Sequence, residues 1–251
     1  MNATGERRSL LIPVLVAVAV LAALLGLGTW QLERKAWKEN LIAALNQRLS
    51  AAPTPLPAAD TWDRLEPAEM EFRRVAFPAT FDYGREALVY TAGSSLRADV
   101  AGPGYWVFTP ARLANGRVVM VDRGFVPEGR QDAASRAAGQ VPGPVEIVGF
   151  LRWPEQRGIF TPSDNPGRNL WFVRDHLAIA QAMGLDGVAP FFIDQEAPAP
   201  SGGLPRPGRL TPQLPNNHLQ YAVTWYGLAL VLVVAFVIWA RRRDDTPVDR
   251  M

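Results

Sequence analysis

Two long apolar segments constrain the fold of this 251-residue chain more than any other feature. The first runs from Leu10 to Gly28 and the second from Tyr221 to Ala240, and neither contains a charged residue. A helix of about 20 apolar residues crosses the hydrocarbon core of a bilayer. Each segment is therefore long enough to span a membrane, and the chain is predicted to form a hairpin of two transmembrane α-helices.

Charged residues beside the two segments predict their orientation. An arginine at the centre of a membrane helix costs about 2.5–3.5 kcal/mol, and short cytoplasmic segments carry an excess of Lys and Arg. Arg241–Arg243 therefore mark the cytoplasmic end of the second helix, and Arg7 and Arg8 favour the same side for the N-terminus. Basic residues just after the first helix weaken this interpretation, and nearby glutamates partly offset them. Since two spans return the chain to its starting side, both termini are predicted to be cytoplasmic.

A cleaved signal peptide is the alternative interpretation of the first segment. The apolar core is long for such a peptide, and the stretch "GLGTWQLERK" is a poor cleavage site, so we favour a retained helix. The chain then divides into a cytoplasmic N-terminus (1–9), a first span (10–28), a juxtamembrane amphipathic helix and linker (29–59), an extracytoplasmic β-rich domain (60–196), a Pro/Gly-rich connector (197–217), a second span (218–240) and a cytoplasmic tail (241–251). The outer domain is expected in the periplasm, with both spans in a bacterial inner membrane, or in the intermembrane space if the chain is mitochondrial.

Composition excludes several classes of function. A formal charge of only +2 provides no concentrated basic face for nucleic acid. Zero cysteines exclude disulfides, thiolate metal sites and a cysteine nucleophile, and two histidines leave little room for a histidine-rich metal centre. The motifs of serine hydrolases, P-loop proteins, zinc peptidases and dinucleotide-binding enzymes are absent. We therefore predict that the chain is not an enzyme, and an envelope enzyme acting on lipid or peptide is the least favoured hypothesis.

The outer segment is predicted to be an α+β domain, mainly antiparallel β in a barrel or sandwich with one or two helices. Strands are expected in "RRVAFPATFDY", "ALVYTAG", "YWVFTPARL", "RVVMVDRGFVP", "VEIVGFLRW" and "APFFIDQ". Asn115-Gly116 predicts a two-residue type I′ hairpin turn. Asp175 is expected to cap a helix that follows it. Asp122 and Arg123 are expected to form an ion pair or to support the turn after them, and "TPSDNPG" is read as ordinary turn chemistry.

The segments that join the domain to the spans have their own patterns. Apolar residues at helical spacing predict that the first helix continues past the membrane and packs on its own domain; these are Trp37, Leu41, Leu45 and Leu49. Three prolines in "APTPLPAAD" must end that helix. The connector "APAPSGGLPRPGRLTPQLP" is predicted to be extended, and we favour an undocked tether.

His218 lies at the start of the second span. Tyr221 and Trp225 follow it at spacings of three and seven residues, so the three side chains share one face of a helix. This group has two interpretations, an aromatic membrane anchor or an axial ligand for haem iron. In a hairpin, Trp30 and Gln31 lie at the depth of His218, and Gln31, Asn217 or Gln220 could fix its second ring nitrogen. His176 is expected to be solvated or hydrogen-bonded, with no ligand role.

Several motifs in order resemble the surfeit locus protein 1 family, whose members assist assembly of haem-copper cytochrome c oxidase. These are "LGTWQLERKAWKENLI", "VDRGFVP", "GIFTPSDNP…LWFVRD" and "NNHLQYAVTWYGLA". The chain departs from the family at Asp122 and Phe125, where asparagine and tryptophan are common. The resemblance implies a membrane-embedded, non-enzymatic partner of oxidase subunit I and of other assembly factors.

The same resemblance implies a haem a site. His218 is then the iron ligand, with Trp30 as the family's tryptophan, and Gln31, Arg34, Tyr221 and Trp225 complete the candidate cofactor-binding set. The alternative is a scaffold without a cofactor that stabilises assembly intermediates of the oxidase, in which these side chains only pack and anchor. The sequence leaves the haem type, the second axial ligand and the oligomeric state open.

Overall fold

The computed structural model describes residues 11–212 and 214–244, with side chains as far as residue 242. Arg7, Arg8, Arg243 and the tail after residue 244, which carry part of the topology prediction, lie outside the described side chains. The elements in chain order are α1 (Leu11–Ser50), β1 (Thr54–Pro55), α2 (Pro67–Met70), β2 (Arg74–Phe81), β3 (Ala87–Gly93), β4 (Ala101–Arg112), β5 (Val118–Pro127), β6 (Pro144–Arg152), β7 (Leu170–Trp171), α3 (His176–Ala182), β8 (Val188–Ala197) and α4 (His218–Asp244), with 3-10 helices at Ala59–Arg64, Tyr83–Arg85, Ala133–Gly139 and Pro166–Arg168.

The chain forms two compact units, which are described separately. One unit combines the residues before position 44 with those from 214 onwards, and the other contains residues 44–213. Among the described residues, two helices are long and apolar enough to cross a membrane, and these are α1 and α4. The predicted pair of transmembrane helices flanking a strand-rich domain in the sequence is confirmed. The continuation of α1 beyond its apolar part is also confirmed, and the helix ends at Ser50, just before the prolines.

In the first unit, α1 and α4 pack side by side in antiparallel fashion. Gln31, just after the apolar part of α1, meets His218 at the start of α4, whereas Val18 and Val233 line a common apolar cavity of about 120 Å³. Between residues 17 and 42 of α1, the less exposed positions recur at alternating spacings of four and three residues; they are Ala17, Leu21, Leu24, Gly28, Gln31, Lys35, Lys38 and Ile42. Such spacing is typical of helices that pack along a heptad seam.

In the second unit, five strands close into a barrel. The order around it is β2-β6-β8-β5-β4, and a further pairing between β4 and β2 closes the ring. The pairings are antiparallel except for β5 with β8, which is parallel. A closed ring with an odd number of strands cannot alternate direction throughout, so one parallel pair is unavoidable. Of the two mainly antiparallel architectures predicted from the sequence, a barrel or a sandwich, the structure has the barrel, and all six predicted strands are confirmed.

The barrel has apolar side chains on both faces of its central strand. On β5, Val119 and Val121 belong to one buried cluster and Met120 to another, because successive side chains of a strand point to opposite faces. Phe191 and Phe192 on β8 divide between the two clusters in the same way. Every residue of β5 except Pro127 is buried, which explains why its sequence shows no alternation of polar and apolar residues.

The hairpin between β4 and β5 is confirmed, but the predicted type I′ turn is wrong. Gly116 has φ = 82°, whereas Asn115 has no positive φ, and a type I′ turn requires positive φ at both central residues. Gly116 N donates to Leu113 O at 2.9 Å, and Leu113 N donates to Arg117 O at 2.9 Å. The loop therefore has three residues and ends in a left-handed glycine. Asn115 keeps negative φ and accepts a hydrogen bond from Arg117 N through its side chain.

The interpretation of the connector as an undocked tether is also wrong for its described part. Arg206 and Phe125 exchange two backbone hydrogen bonds of 2.8 and 3.0 Å, and Thr211 N donates to Leu96 O at 2.7 Å. Gly124 permits this close approach, since a Cβ there would lie 2.1 Å from Arg206 O. Segment 198–212 is thus fixed to the barrel through its backbone, which its proline-rich composition does not reveal.

The predicted packing of the extended helix on its own domain is confirmed for only half of its residues. Leu49 is buried with Leu45 beside it in a cluster around Phe150. Trp37 and Leu41 instead remain about half exposed. The apolar face of this helix therefore contributes to the core of the second unit only over its last two turns.

Candidate functional site

His218 is hydrogen-bonded across the helix pair to Gln31. The distance between His218 Nδ1 and Gln31 Oε1 is 2.7 Å. An amide oxygen only accepts hydrogen bonds, so Nδ1 donates, and in a neutral imidazole Nε2 then carries the lone pair. Within residues 11–212 and 214–244, no hydrogen bond reaches Nε2. A ring nitrogen held by an outer-shell partner, with the other nitrogen open, is the usual arrangement of a histidine that ligates a metal.

The helix packing below this pair explains how the two residues meet. Gly28 lies one turn before Gln31, and a Cβ at this position would be 2.8 Å from the ring of Tyr226. The missing side chain lets the two helices approach closely. Beside it, the hydroxyl groups of Thr29 and Tyr226 are 3.1 Å apart and share a hydrogen bond. A small residue and a polar contact between membrane helices are common features of such interfaces.

Two buried polar atoms near His218 in the chain have no hydrogen-bond partner within the described residues. One is Nε1 of Trp225, which donates only, and the other is Oδ1 of Asn216, which accepts only. A buried polar atom without a partner costs about 1–3 kcal/mol. Such atoms are therefore rare in folded proteins and point to a missing ligand, water or partner.

The other candidate residues are placed differently. Trp30 and Tyr221 are exposed, with 53% and 55% of their surfaces accessible. Arg34 stacks on Trp37, its guanidinium carbon 4.0 Å from the ring centroid. In the part of the chain that is described, no hydrogen bond or ring contact joins any of these three candidates to His218. The structure thus brings Gln31 to the imidazole and leaves Trp30, Arg34 and Tyr221 with free surface.

His176 has a different environment in the second unit. Its ring is fully buried, and Nε2 lies 3.0 Å from the carbonyl oxygen of Ala189, to which it donates. Burial lowers the pKa of His176 to about 4, so the ring is neutral at pH 7. The predicted hydrogen-bonded role is confirmed. Asp175 caps α3 by accepting from the backbone N–H groups of Leu177 and Ala178, as predicted.

A buried cluster of charges in the barrel was not found from the sequence. Asp122 and Asp194 occupy paired positions on β5 and β8, and Arg174 reaches them at 3.6 and 3.3 Å. Arg174 also contacts Glu155 at 2.5 Å. Burial, together with the nearby charge of Asp194, raises the pKa of Asp122 to about 7. The signal in the sequence is an aspartate that directly follows an apolar run in each of two strands, Asp122 on β5 and Asp194 on β8.

The ion pair predicted between Asp122 and Arg123 is wrong, because the two side chains have separate partners. Asp122 Oδ1 accepts from Gly124 N at 3.0 Å, but both residues lie within β5, where the pairing with β4 shifts register, so the predicted turn is an irregularity of the strand. Arg123 pairs with Glu86 at 2.7 Å. Adjacent residues of a strand point to opposite faces, which prevents an ion pair between the two.

No group of three or more histidine, aspartate and glutamate side chains within the described residues could hold a metal ion. His218 therefore offers one ring nitrogen without help from a cluster of other ligating side chains in the described chain. A single open imidazole suits a metal that brings most of its own ligands, as haem iron does.

The chain matches the model of the SURF1 family over residues 18–230, which include most of α1, the whole barrel and the first half of α4. The chain belongs to the SURF1 family. Surfeit locus protein 1 of Rattus norvegicus is 37% identical over 231 residues, covering 88% of this chain and 72% of the rat protein. The human protein is 37% identical over 236 residues, covering 90% and 76%. The SURF1-like protein of Monosiga brevicollis is 38% identical over 224 residues, covering 86% and 83%.

These matches confirm the family resemblance drawn from the sequence motifs. For each of these SURF1 relatives the similarity covers more than four-fifths of this chain. The matched residues of the family model contain both Gln31 and His218. The helix pair and the barrel are thus parts of one family architecture.

Proposed function

We propose that this chain is an assembly factor for haem-copper cytochrome c oxidase, and that it binds haem a through His218 and assists its insertion into subunit I. The observation that carries the proposal is the hydrogen bond from His218 Nδ1 to Gln31, which leaves Nε2 open for iron. Membership of the SURF1 family supports the assembly role. The proposed location is a bacterial inner membrane, with both termini cytoplasmic and the barrel outside, or the mitochondrial inner membrane in a eukaryote.

The residues around His218 fit a haem group. Bound haem supplies an iron that accepts axial nitrogen ligands and an apolar ring that carries acidic side groups. His218 would hold the iron, and Gln31 would keep the imidazole in the tautomer that can ligate. The buried N–H of Trp225 and the buried oxygen of Asn216 are polar atoms without partners in the described chain. The exposed rings of Trp30 and Tyr221 offer apolar surface, and the Arg34 guanidinium offers a positive charge for an acidic group.

This arrangement supports holding and release without catalysis. His218 would be the single ligand that this chain supplies to the iron, so a client with stronger ligation and deeper burial would retain the cofactor. The transfer of haem then needs no separate energy source such as nucleotide hydrolysis, and we propose a non-enzymatic role. Gln31 holds the His218 ring in one orientation through Nδ1 and so would position Nε2 for the iron.

The two histidines of the chain provide a matched test. Wild type, His218→Ala and His176→Gln are produced in cells that make haem a, purified in detergent and compared by optical and resonance Raman spectroscopy. We expect loss of the haem spectrum in His218→Ala and a wild-type spectrum in His176→Gln. Unchanged stoichiometry and spectrum in His218→Ala would remove the ligand assignment.

The same variants separate haem delivery from the cofactor-free scaffold. If His218 acts through haem, His218→Ala loses oxidase assembly in the host while its outer domain and membrane insertion are retained. A His218→Ala variant that lacks haem but still supports full oxidase assembly would favour the scaffold. Binding to subunit I is measured by co-purification in the presence and in the absence of haem a synthesis.

A further inference from the structure

The loop between β6 and β7 exposes two large apolar side chains at its tip. Ile159 is 96% exposed and Phe160 is 97% exposed. Most other large exposed hydrophobic residues of the described chain lie on α1 and α4, where membrane contact accounts for them. Exposed apolar groups of this size on a soluble surface commonly mark an interaction site.

The tip is a closed turn. Thr161 N donates to Gly158 O at 3.1 Å, and Gly158 N donates to the hydroxyl oxygen of Thr161, also at 3.1 Å. Ile159 and Phe160 are the two central residues of this turn. Both side chains therefore project from a short, hydrogen-bonded backbone segment.

The base of the loop is fixed as well. Arg157 donates both to the carbonyl oxygen of Pro162 and to the carboxylate of Asp164. The other carboxylate oxygen of Asp164 accepts from Phe172 N at 2.8 Å, which ties the loop to the chain after β7. These hydrogen bonds thus hold the loop in the conformation that exposes its tip. A preorganised tip loses little conformational entropy when it binds.

The charges around the tip distinguish between lipid and protein as its partner. Residues 155–168 contain two acidic and two basic side chains, so their formal charges cancel. Arg157 is paired with Asp164, and Glu155 is paired with Arg174. Loops and helices that bind anionic bilayers surround their apolar residues with excess Lys and Arg, and this loop has no such excess. An apolar centre inside a neutral polar rim is instead the arrangement of a protein interface.

We propose that the Ile159–Phe160 turn is a docking element that inserts into an apolar pocket of a protein partner. A convex pair of side chains requires a concave apolar site, with room for one aromatic ring and one branched aliphatic chain. Large buried anchors of this kind carry a disproportionate share of binding energy. The choice of subunit I as the partner to test rests on the proposed function, whereas the docking role rests on the loop alone.

The first experiment is site-specific photo-crosslinking in the full-length protein co-expressed with oxidase subunit I. The photoreactive amino acid p-benzoylphenylalanine replaces Phe160 in one variant and Leu177, an exposed residue of α3, in the matched control. We expect an adduct with subunit I from position 160 and none from position 177. An adduct between two copies of this chain would overturn the inference, because the pocket would then belong to a second copy.

The second experiment exploits the absence of cysteine from the chain. Phe160→Cys is labelled with a polarity-sensitive fluorophore and reconstituted into nanodiscs that contain anionic phospholipid. We expect the emission of a water-exposed probe in nanodiscs alone and a blue shift only after subunit I is added. A blue shift in nanodiscs alone would identify lipid as the partner and overturn the inference.

A third measurement separates this inference from the proposed function. The double variant Ile159→Ser with Phe160→Ser is expected to recover at least about fivefold less subunit I than wild type, while its His218-dependent haem spectrum is unchanged. If wild type and the double variant recover subunit I equally, the docking inference fails and the proposed function survives. If wild type recovers none, the proposed partner fails. The docking inference then survives only if position 160, and not position 177, crosslinks to one other identified protein.

Discussion

His218 Nδ1 and Gln31 Oε1 lie 2.7 Å apart, although the two residues are separated by 187 positions in the chain. One begins α4 and the other lies on the seam of α1 that faces it. The hydrogen bond sets the imidazole tautomer and leaves one ring nitrogen for a ligand. An imidazole oriented in this way at the start of a helix is the arrangement that the proposed haem site requires.

Removing this hydrogen bond should weaken haem binding without removing the ligand. We expect Gln31→Leu to lower haem affinity about 10–100-fold, the usual effect of losing an outer-shell partner of a metal ligand. The affinity is measured by haem titration of purified apoprotein. Gln220→Leu is the matched control, because Gln220 is exposed on α4. Equal affinity in the Gln31 and Gln220 variants would contradict a role for Gln31 in orienting His218.

Close packing at Gly28 should be required for the same geometry. We expect Gly28→Val to destabilise the helix pair by about 1–3 kcal/mol, as overpacking does, because its Cβ would lie 2.8 Å from the Tyr226 ring. Gly26→Val is the control, since a Cβ at Gly26 meets no atom within 4 Å. Thermal unfolding in detergent and haem content are measured for both. Similar losses in both variants would show that the effect is not one of packing against Tyr226.

The buried Asp122 should make stability fall as the pH rises. Burial and the charge of Asp194 raise its pKa from the ordinary value of 3.8 to about 7, so the folded protein binds more protons than the unfolded chain between these values. The stabilisation that comes from protonation of Asp122 in the folded protein is complete below pH 4 and is lost as the pH rises through about 7. Asp122→Asn lacks this dependence and keeps an acceptor oxygen for Gly124 N. We expect the difference in melting temperature, variant minus wild type, to be larger at pH 8 than at pH 5. A larger difference at pH 5 would refute the assignment.

His176 should act in the opposite direction. Burial lowers its pKa from 6.5 to about 4, so the unfolded chain binds the proton more tightly than the folded protein. The stabilisation from the neutral ring is present above pH 6.5 and is lost as the pH falls through about 4. His176→Gln retains a donor for Ala189 O but cannot titrate. We expect its melting temperature to decline less than that of wild type between pH 7 and pH 4. An equal decline in melting temperature for the variant and wild type would show that another group controls the pH dependence between pH 7 and pH 4.

Local patterns explain what was predicted correctly in the barrel. The strands were identified because each is a short run of β-forming residues bounded by turn residues, and the cap of α3 because Asp175 directly precedes an apolar helical pattern. The turn at Asn115 was predicted wrongly because its conformation depends on the register between β4 and β5, which decides whether two or three residues form the loop. The docking of segment 198–212 depends on a glycine on β5, far away in the sequence.

The sequence by itself determined the two apolar helices, the strands and the candidate ligand His218, because each depends on composition and spacing within one segment. The tertiary structure alone decided that Gln31, rather than Asn217 or Gln220, holds the imidazole, and that Asp122 and Asp194 share a buried site. It also decided that Ile159 and Phe160 protrude from the surface. Contacts between residues far apart in the chain depend on helix packing, strand register and loop closure together. The residues of a single segment do not determine these contacts.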